Sequence, residues 1–184
     1  MNITELSLPG VLLVAPVVYE DSRGFFVERF RQSLFQQLGL PDQFVQTNHS
    51  HSSPRVLRGL HYQHTPPQGK LLTVISGSIL DVIVDLRLDS ATFGQYLSLE
   101  LSDQNKAMIW VPPGLAHGFC VIGDKPADVL YQVDAQYNQA GESGIRWNDP
   151  DLAIKWPYAN PLLSPRDQKL PHFAEYAASL LREQ

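Results

Sequence analysis

The sequence predicts an all-β domain of the sandwich, jelly-roll or small-barrel kind, built from about ten short strands. Three observations lead there. Apolar residues recur with period two or in short runs. Glycine and proline, 12 and 14 of 184 residues, punctuate the gaps between those runs. Helical periodicity is sparse. Leu12–Tyr19 is the first strand candidate, in the longest apolar run of the chain, Val11 to Val18, which Pro16 interrupts. Phe25–Phe30 and Phe44–His49 follow, each opening on an aromatic residue suited to a pleated surface. Between them Ser33 to Leu38 reads as one or two helical turns, stopped at Gly39 with Pro41 beyond. Val56–Gln63, Leu71–Ser76 and Ile79–Arg87 come next, and Gly77-Ser78 reads as a tight hairpin because glycine supplies a positive φ. Gln95–Leu101, Met108–Val111, Gly118–Ile122 and Val129–Val133 complete the strands. Phe173, Tyr176, Ala177 and Leu180 fall at i, i+3, i+4 and i+7, which predicts a C-terminal amphipathic helix.

No linker, charge block or low-complexity stretch divides the chain. Residues 1–184 are therefore expected to form one domain, a core of about 3–170 followed by a helix in 171–184. Hydrophobic residues at 43% against 18% charged exclude a disordered chain. The net charge of −5 argues against a nucleic-acid partner. A single cysteine, Cys120, excludes a disulfide framework and a cysteine-rich zinc module. The longest apolar run is too short to span a bilayer, and no basic stretch precedes it. Neither a membrane partner nor a secretory signal is expected, and the cytoplasm is the expected location.

Two clusters place ionisable residues where strands usually carry apolar ones. In Arg58-Gly59-Leu60-His61-Tyr62-Gln63-His64, alternation puts His61 on one face with Leu57, Gly59 and Gln63. In Pro112-Pro113-Gly114-Leu115-Ala116-His117-Gly118-Phe119, a turn delivers His117 onto a following strand. A lone strand histidine is usually a structural donor to a carbonyl; two such clusters invite chemistry. A base histidine needs an orienting carboxylate, for which Asp167, Asp81 and Asp85 all qualify. Tyr131, mid-strand between Val129 and Val133, is a candidate proton donor, and Lys70 a candidate to stabilise an oxyanion.

The pattern Pro-x-Gly-x-x-His after a His-bearing strand resembles the half-motifs of the cupin superfamily, whose members are jelly-roll barrels. Metal cupins place His-x-His and then a Glu seven residues before a glycine. Here Gln63 replaces the second histidine, and Lys70 stands seven residues before Gly77. A cation at a ligand position opposes metal binding, so neither metal nor other cofactor is expected. One rival site is His49 and His51, at i and i+2 on one strand face, joined by His61 or His117.

The resemblance extends further, through Asp21-Ser22-Arg23-Gly24-Phe25-Phe26, Gln46-Thr47-Asn48-His49-Ser50, Val56-Leu57-Arg58-Gly59-Leu60-His61-Tyr62-Gln63, Gly69-Lys70-Leu71, Leu115-Ala116-His117-Gly118-Phe119 and Trp147-Asn148-Asp149-Pro150. In that order and spacing these blocks resemble the dTDP-4-dehydrorhamnose 3,5-epimerase family, over about residues 3 to 170. The resemblance implies a metal-free cupin-type jelly roll, a homodimer, and dTDP-4-dehydro-6-deoxy-D-glucose, a dTDP-4-keto-6-deoxy sugar, as substrate. It implies His61 as the base, Asp167 as its dyad partner, Tyr131 as the proton donor and Lys70 beside the C4 carbonyl oxygen. Nucleotide-sugar contacts carry over to Arg23, Glu28, Gln46, Thr47, Asn48, Arg58, Lys70, His117, Glu142 and Arg166, with Tyr137 stacking on the base and Phe26 assisting. The chemistry is coherent: a C4 ketone acidifies the hydrogens on C3 and C5, and an imidazole, with a reference pKa of about 6.5, accepts such a proton near neutrality.

Thr47 stands where many members carry Asp, and Pro165 precedes Arg166. Ideal alternation also sets Arg58 and His61 on opposite faces, which a bend at Gly59, or an Arg58 acting from the rim or a partner subunit, would resolve. The alternatives are an epimerase of one centre only, a metal-dependent cupin oxygenase, and a sugar-binding cupin without activity.

Overall fold

The structure, a computed structural model, describes residues 1–180, with Leu180 as backbone only. Its strands are β1 (Asn2–Glu5), β2 (Leu12–Ala15), β3 (Val18–Asp21), β4 (Gly24–Val27), β5 (Gln46–Ser52), β6 (Leu57–Gln63) and β7 (Lys70–Ser76). They continue with β8 (Ser78–Asp85), β9 (Tyr96–Ser102), β10 (Met108–Val111), β11 (Leu115–Ile122), β12 (Ala127–Val133) and β13 (Glu142–Gly144). Two short helices, α1 (Gln32–Gln37) and α2 (Phe173–Leu180), and a 3-10 turn at Asp167–Lys169 complete the chain. One antiparallel sheet runs β1-β2-β10-β7-β12-β5, a second runs β13-β6-β11-β8-β9, and β3 pairs with β4 alone. The two large sheets face each other as a jelly roll.

Strand alternation sorts the side chains. Leu72 and Val74 of β7, Ile109 and Val111 of β10 and Val129 of β12 meet Ile79 and Ile83 of β8 and Phe119 and Val121 of β11 in the dry interior between the sheets. Burying a side chain of this size contributes about 1.5–3 kcal/mol. The outer faces are covered too. Leu71, Met108 and Trp110 pack with Phe35 of α1 and the rings of Phe30 and Phe44. Val82, Val84 and Ala116 pack with Phe173 and Tyr176 of α2, so the amphipathic stripe does what its spacing predicts; residues 181–184 of the expected helix lie outside the described residues.

Several expectations are corrected. Leu12–Tyr19 is two strands, because Pro16 has no amide to donate and the chain leaves the large sheet for the β3–β4 hairpin. Phe25–Phe30 ends at Val27, and Phe30 turns away to pack edge-on against Phe35 with ring centroids 4.8 Å apart. Gly77 has the expected positive φ of +79°, but β7 and β8 do not pair: the chain switches sheets there. Asp103 fixes that switch, accepting from the Gly77 amide at 2.9 Å. β11 begins at Leu115, three residues before the expected start, so His117 lies inside the strand. β1 and β13, short and polar, carry no periodic signal. Among the described residues no helix is long and apolar enough to cross a membrane.

The course of β6 departs from regular pleating at one point. His61 opposes His117 and Arg58 opposes Phe119, so three steps on β6 match two on β11. The extra residue is a bulge at Gly59, whose φ is +115°. It puts Arg58 and His61 on the same inward face, within one chain, which resolves the parity problem by the bend. A Cβ on Gly59 would sit 2.6 Å from the Gly118 Cα and 2.8 Å from the His117 carbonyl oxygen. Gly59→Ala should therefore cost about 3 kcal/mol or more in urea unfolding, combining forbidden φ with backbone overlap; a loss under about 1 kcal/mol would show that the bulge relaxes freely.

Candidate active site

At one end of the barrel the inward positions change from apolar to ionisable, and a cavity of about 260 Å³ opens between the sheets. Arg58, His61 and His117 line it from the five-stranded sheet; Asn48, Lys70 and Tyr131 line it from the six-stranded sheet. Each lies one pleat beyond a core residue: Lys70 before Leu72, Tyr131 after Val129, His117 before Phe119.

His61 Nε2 lies 2.6 Å from Asp167 Oδ1. The 3-10 turn delivers Asp167, whose amide donates to Ser164 Oγ at 3.0 Å. Burial works to raise the Asp167 carboxyl, but the hydrogen bond and charge of His61, with help from Ser164 and the Gly59 amide, hold it below its ordinary range. With Nε2–H given to Asp167, the lone pair of a neutral His61 ring sits on Nδ1, where no protein partner among the described residues competes. Asp81, the other carboxylate considered, pairs instead with His117, Nε2 to Oδ2 at 2.7 Å. Asp85 takes bonds from Arg87, Ser90 and Thr92 and is structural.

Lys70 Nζ sits 3.5 Å from the His61 carbonyl oxygen. Burial pulls its ammonium down to about 8, against the opposing pull of Glu142 and Asp81. Burial raises the Tyr131 phenol, and Glu142 raises it further against Arg58, so the ring carries its proton at neutral pH. Arg58 is aimed by Ser52 Oγ, 2.9 Å from its Nε, and by the His51 carbonyl. At the mouth Glu142 Oε2 accepts from Tyr137 Oη at 2.9 Å and from Arg166 Nη1 at 2.7 Å. The Tyr137 amide donates to Gln46 Oε1, and Gln46 in turn donates to Asn48.

Four expected contacts are not brought to this cavity. Thr47 points outward, since alternation on β5 turns Gln46 and Asn48 the other way. Arg23, Phe26 and Glu28 sit on or just after the β3–β4 hairpin, away from the cavity of their own chain. Arg23 is 88% exposed and paired with Asp21, Phe26 is 67% exposed, and Glu28 pairs with Arg31. The rival metal site fails for the same reason of parity: His49 and His51 face outward onto Asp128, at 3.0 and 3.1 Å, and cannot meet His61 or His117. Among the described residues no group of three or more His, Cys, Asp or Glu is arranged to hold a metal. Gln63 binds backbone groups, donating to Pro66 and Gln136 and accepting from the Asn138 amide, so the cupin ligand positions do not fit a metal ion. Ser50 and Phe119 also line the cavity without having been singled out, though both lie in the quoted blocks.

A jelly roll whose inward polar end gathers acid–base groups defines a cupin-type enzyme of proton transfer, an isomerase. The family model described as dTDP-4-dehydrorhamnose 3,5-epimerase matches residues 5–175. The chain is 46% identical to the dTDP-4-dehydrorhamnose 3,5-epimerase of Shigella flexneri over 91% of this chain and 93% of that one. It is 47% identical to the Neisseria gonorrhoeae protein of that name, over 99% of this chain but 56% of the relative, so it spans little more than half that relative's length. The crystal structure of the Legionella pneumophila dTDP-6-deoxy-D-glucose-3,5-epimerase in complex with dTDP-4-keto-L-rhamnose superposes with a TM-score of 0.89 at 42% identity, covering 95% and 96% of the two chains. This chain belongs to the dTDP-4-dehydrorhamnose 3,5-epimerase family.

The lowered Asp167 carboxyl carries a stability consequence with a definite sign. Its contribution is present above the unfolded carboxylate value of about 4 and is lost as pH falls through the lower folded value. Asp167→Asn should destabilise by about 2 kcal/mol at pH 7, and the gap to wild type should close in acid. A gap that persists unchanged at pH 2 in urea unfolding contradicts it.

Proposed function

We propose that the chain inverts C3 and C5 of dTDP-4-dehydro-6-deoxy-D-glucose, with His61 as base, Asp167 as its orienting partner, Tyr131 as acid and Lys70 as the enolate's counter-charge. The observation that carries this reading is the provenance of the groups: His61 stands on one sheet, Tyr131 and Lys70 on the other, with the cavity between. A flat sugar ring held in that gap has a base on one side and a proton donor on the other.

His61 Nδ1 takes the proton alpha to the ketone. The C–H electron pair becomes the enolate double bond, and the negative charge moves onto the C4 oxygen, beside the Lys70 ammonium. Tyr131 O–H then protonates the carbon from the opposite face, inverting it. The imidazolium and the phenolate return to their starting states by exchange with solvent, and the cycle repeats at the second carbon. Arg58, His117 and Arg166 suit the diphosphate, and Tyr137 suits the base.

The same reading includes a homodimer in which the β3–β4 hairpin of each protomer reaches its partner's cavity with Arg23, Phe26 and Glu28. The hairpin pairs only with itself and exposes Tyr19, Phe25 and Phe26, which supports a second copy as its cover. Mixing His61→Asn and Arg23→Ala protomers should then regain about a quarter of wild-type activity, because one site in each mixed dimer is intact. No regain, or a monomer in light scattering, ends that arrangement.

The reaction itself is tested by NMR in deuterium oxide. Wild type should incorporate deuterium at C3 and C5 without added metal or nicotinamide, and His61→Asn should lose at least about 10²-fold in rate. Exchange at one carbon alone would make it a single-centre epimerase; none at either carbon defeats the reading.

A pH profile tests Lys70. The ammonium must be charged to stabilise the enolate, so kcat/KM should fall as pH rises through about 8. Lys70→Met should flatten that limb along with the rate; a limb unmoved in the variant assigns it to another group.

A further inference from the structure

Asp81 has no exposed surface and sits on the inward face of β8 between Ile79 and Ile83, both members of the dry core. Its Oδ2 accepts from His117, while its Oδ1 is buried with no hydrogen-bond partner among the described residues. Asp85, on the same face, shows what a structural carboxylate looks like here: Arg87, Ser90 and Thr92 satisfy it. Asp81 has none of that support. An ionised carboxylate in such a place is tolerated only beside a cation, and the groups near it belong to the cavity.

We propose that Asp81 is a positioning residue of the epimerisation: it holds His117 with Nε2–H on the carboxylate and Nδ1 open to a substrate oxygen, and its unpartnered Oδ1 lends counter-charge to the Lys70 ammonium. The assignment rests on the reading of the site given above. Geometry fixes the first half. With Nε2 turned to Asp81 at 2.7 Å, only Nδ1 of His117 is left for a ligand, and no protein group among the described residues takes it. The second half follows from the half-satisfied carboxylate. Its unpartnered oxygen leaves its field to act on neighbours, and it opposes the loss of charge that burial imposes on Lys70.

The other charged and titratable groups facing this pair are Arg58 and His61 from β6, Tyr131 from β12 and Glu142 from β13, with Asp167 behind His61. Glu142 already serves Tyr137 and Arg166 at the mouth. Asp167 serves His61. Asp81 is therefore the carboxylate that His117 has to itself and that Lys70 shares.

The test is the pH dependence of Asp81→Asn, which keeps the shape and removes the charge. The alkaline limb of kcat/KM should move down by about one unit, so that the loss relative to wild type is about fivefold greater at pH 8 than at pH 6. A profile that superimposes on wild type after one scaling factor is what a merely structural role gives, and it overturns the proposal. Should the variant not fold, ¹⁵N-histidine NMR of the wild type decides. A proton on His117 Nε2, facing Asp81, is expected at pH 7. A ring protonated only on Nδ1 overturns it. Wild-type deuterium exchange at C3 and C5 is run alongside. If exchange is absent while His117 carries its proton on Nε2, it is the epimerase reading that fails and the Asp81–His117 pairing that stands.

Discussion

The site depends on the close approach of two backbones, β6 and β11, at Gly59 and Gly118. Neither position accommodates a Cβ: one on Gly118 would lie 2.7 Å from the Arg58 carbonyl oxygen, as one on Gly59 would strike Gly118. The contact forces the bulge, and the bulge turns Arg58 and His61 to the same side. It also leaves the Gly59 amide to bond Asp167, so one distortion orients both His61 and the carboxylate behind it. On its other edge β6 carries β13, which brings Glu142 opposite Gln63 and into reach of Tyr137 and Arg166. A regular β6 would send Arg58 to the outer face and leave Asp167 with one partner fewer.

The barrel interior is divided along its length into a dry end and a charged end, on the same strands. Lys70 continues the row of Leu72 and Val74; His117 continues that of Phe119 and Val121. Long ionisable side chains are thus rooted in close-packed surroundings, which limits their rotamers before any ligand arrives. That arrangement is what electrostatic stabilisation of an enolate requires, since dipoles and charges already in place need no reorganisation as charge develops. The net charge of −5 does not oppose the proposed diphosphate ligand. Arg58, Lys70 and Arg166 converge at the cavity and its rim, where Asp81, Asp167 and Glu142 are each engaged by a protein partner.

Much of this was legible in the sequence where it is local. Period-two runs located the strands of both sheets, and the helical stripe of Phe173 and Tyr176 located α2. The His61 and His117 clusters stood out because ionisable residues there interrupt apolar faces. What was not legible depends on partners distant in sequence. Gly77 has the torsion of a hairpin, but whether the flanking strands pair is decided by Asp103 and by packing on Ala127. β13 is three residues long and exists because β6 offers it an edge. Choosing among Asp81, Asp85 and Asp167 needed the 3-10 turn to be placed. Thr47 was grouped with Gln46 and Asn48 by adjacency, whereas a strand separates neighbours onto opposite faces.

Lys70 and Gln63 stand at the two positions where a metal cupin would have ligands, and what they offer instead is complementary. Gln63 uses its whole amide on backbone, joining the turn after β6 at Pro66 to the loop after β12 at Gln136 and Asn138. That loop carries Tyr137, so Gln63 fixes the wall at the mouth of the cavity. In the proposed reaction Lys70 takes the other task, polarising a carbonyl oxygen. A metal ion does this with a charge that does not change with pH. An ammonium held near 8 does it with a charge that its neighbours must defend, Asp81 from the interior and Glu142 from the mouth. In the proposed reaction the carboxylates of this cavity are therefore part of the means by which a lysine does the work of a Lewis acid.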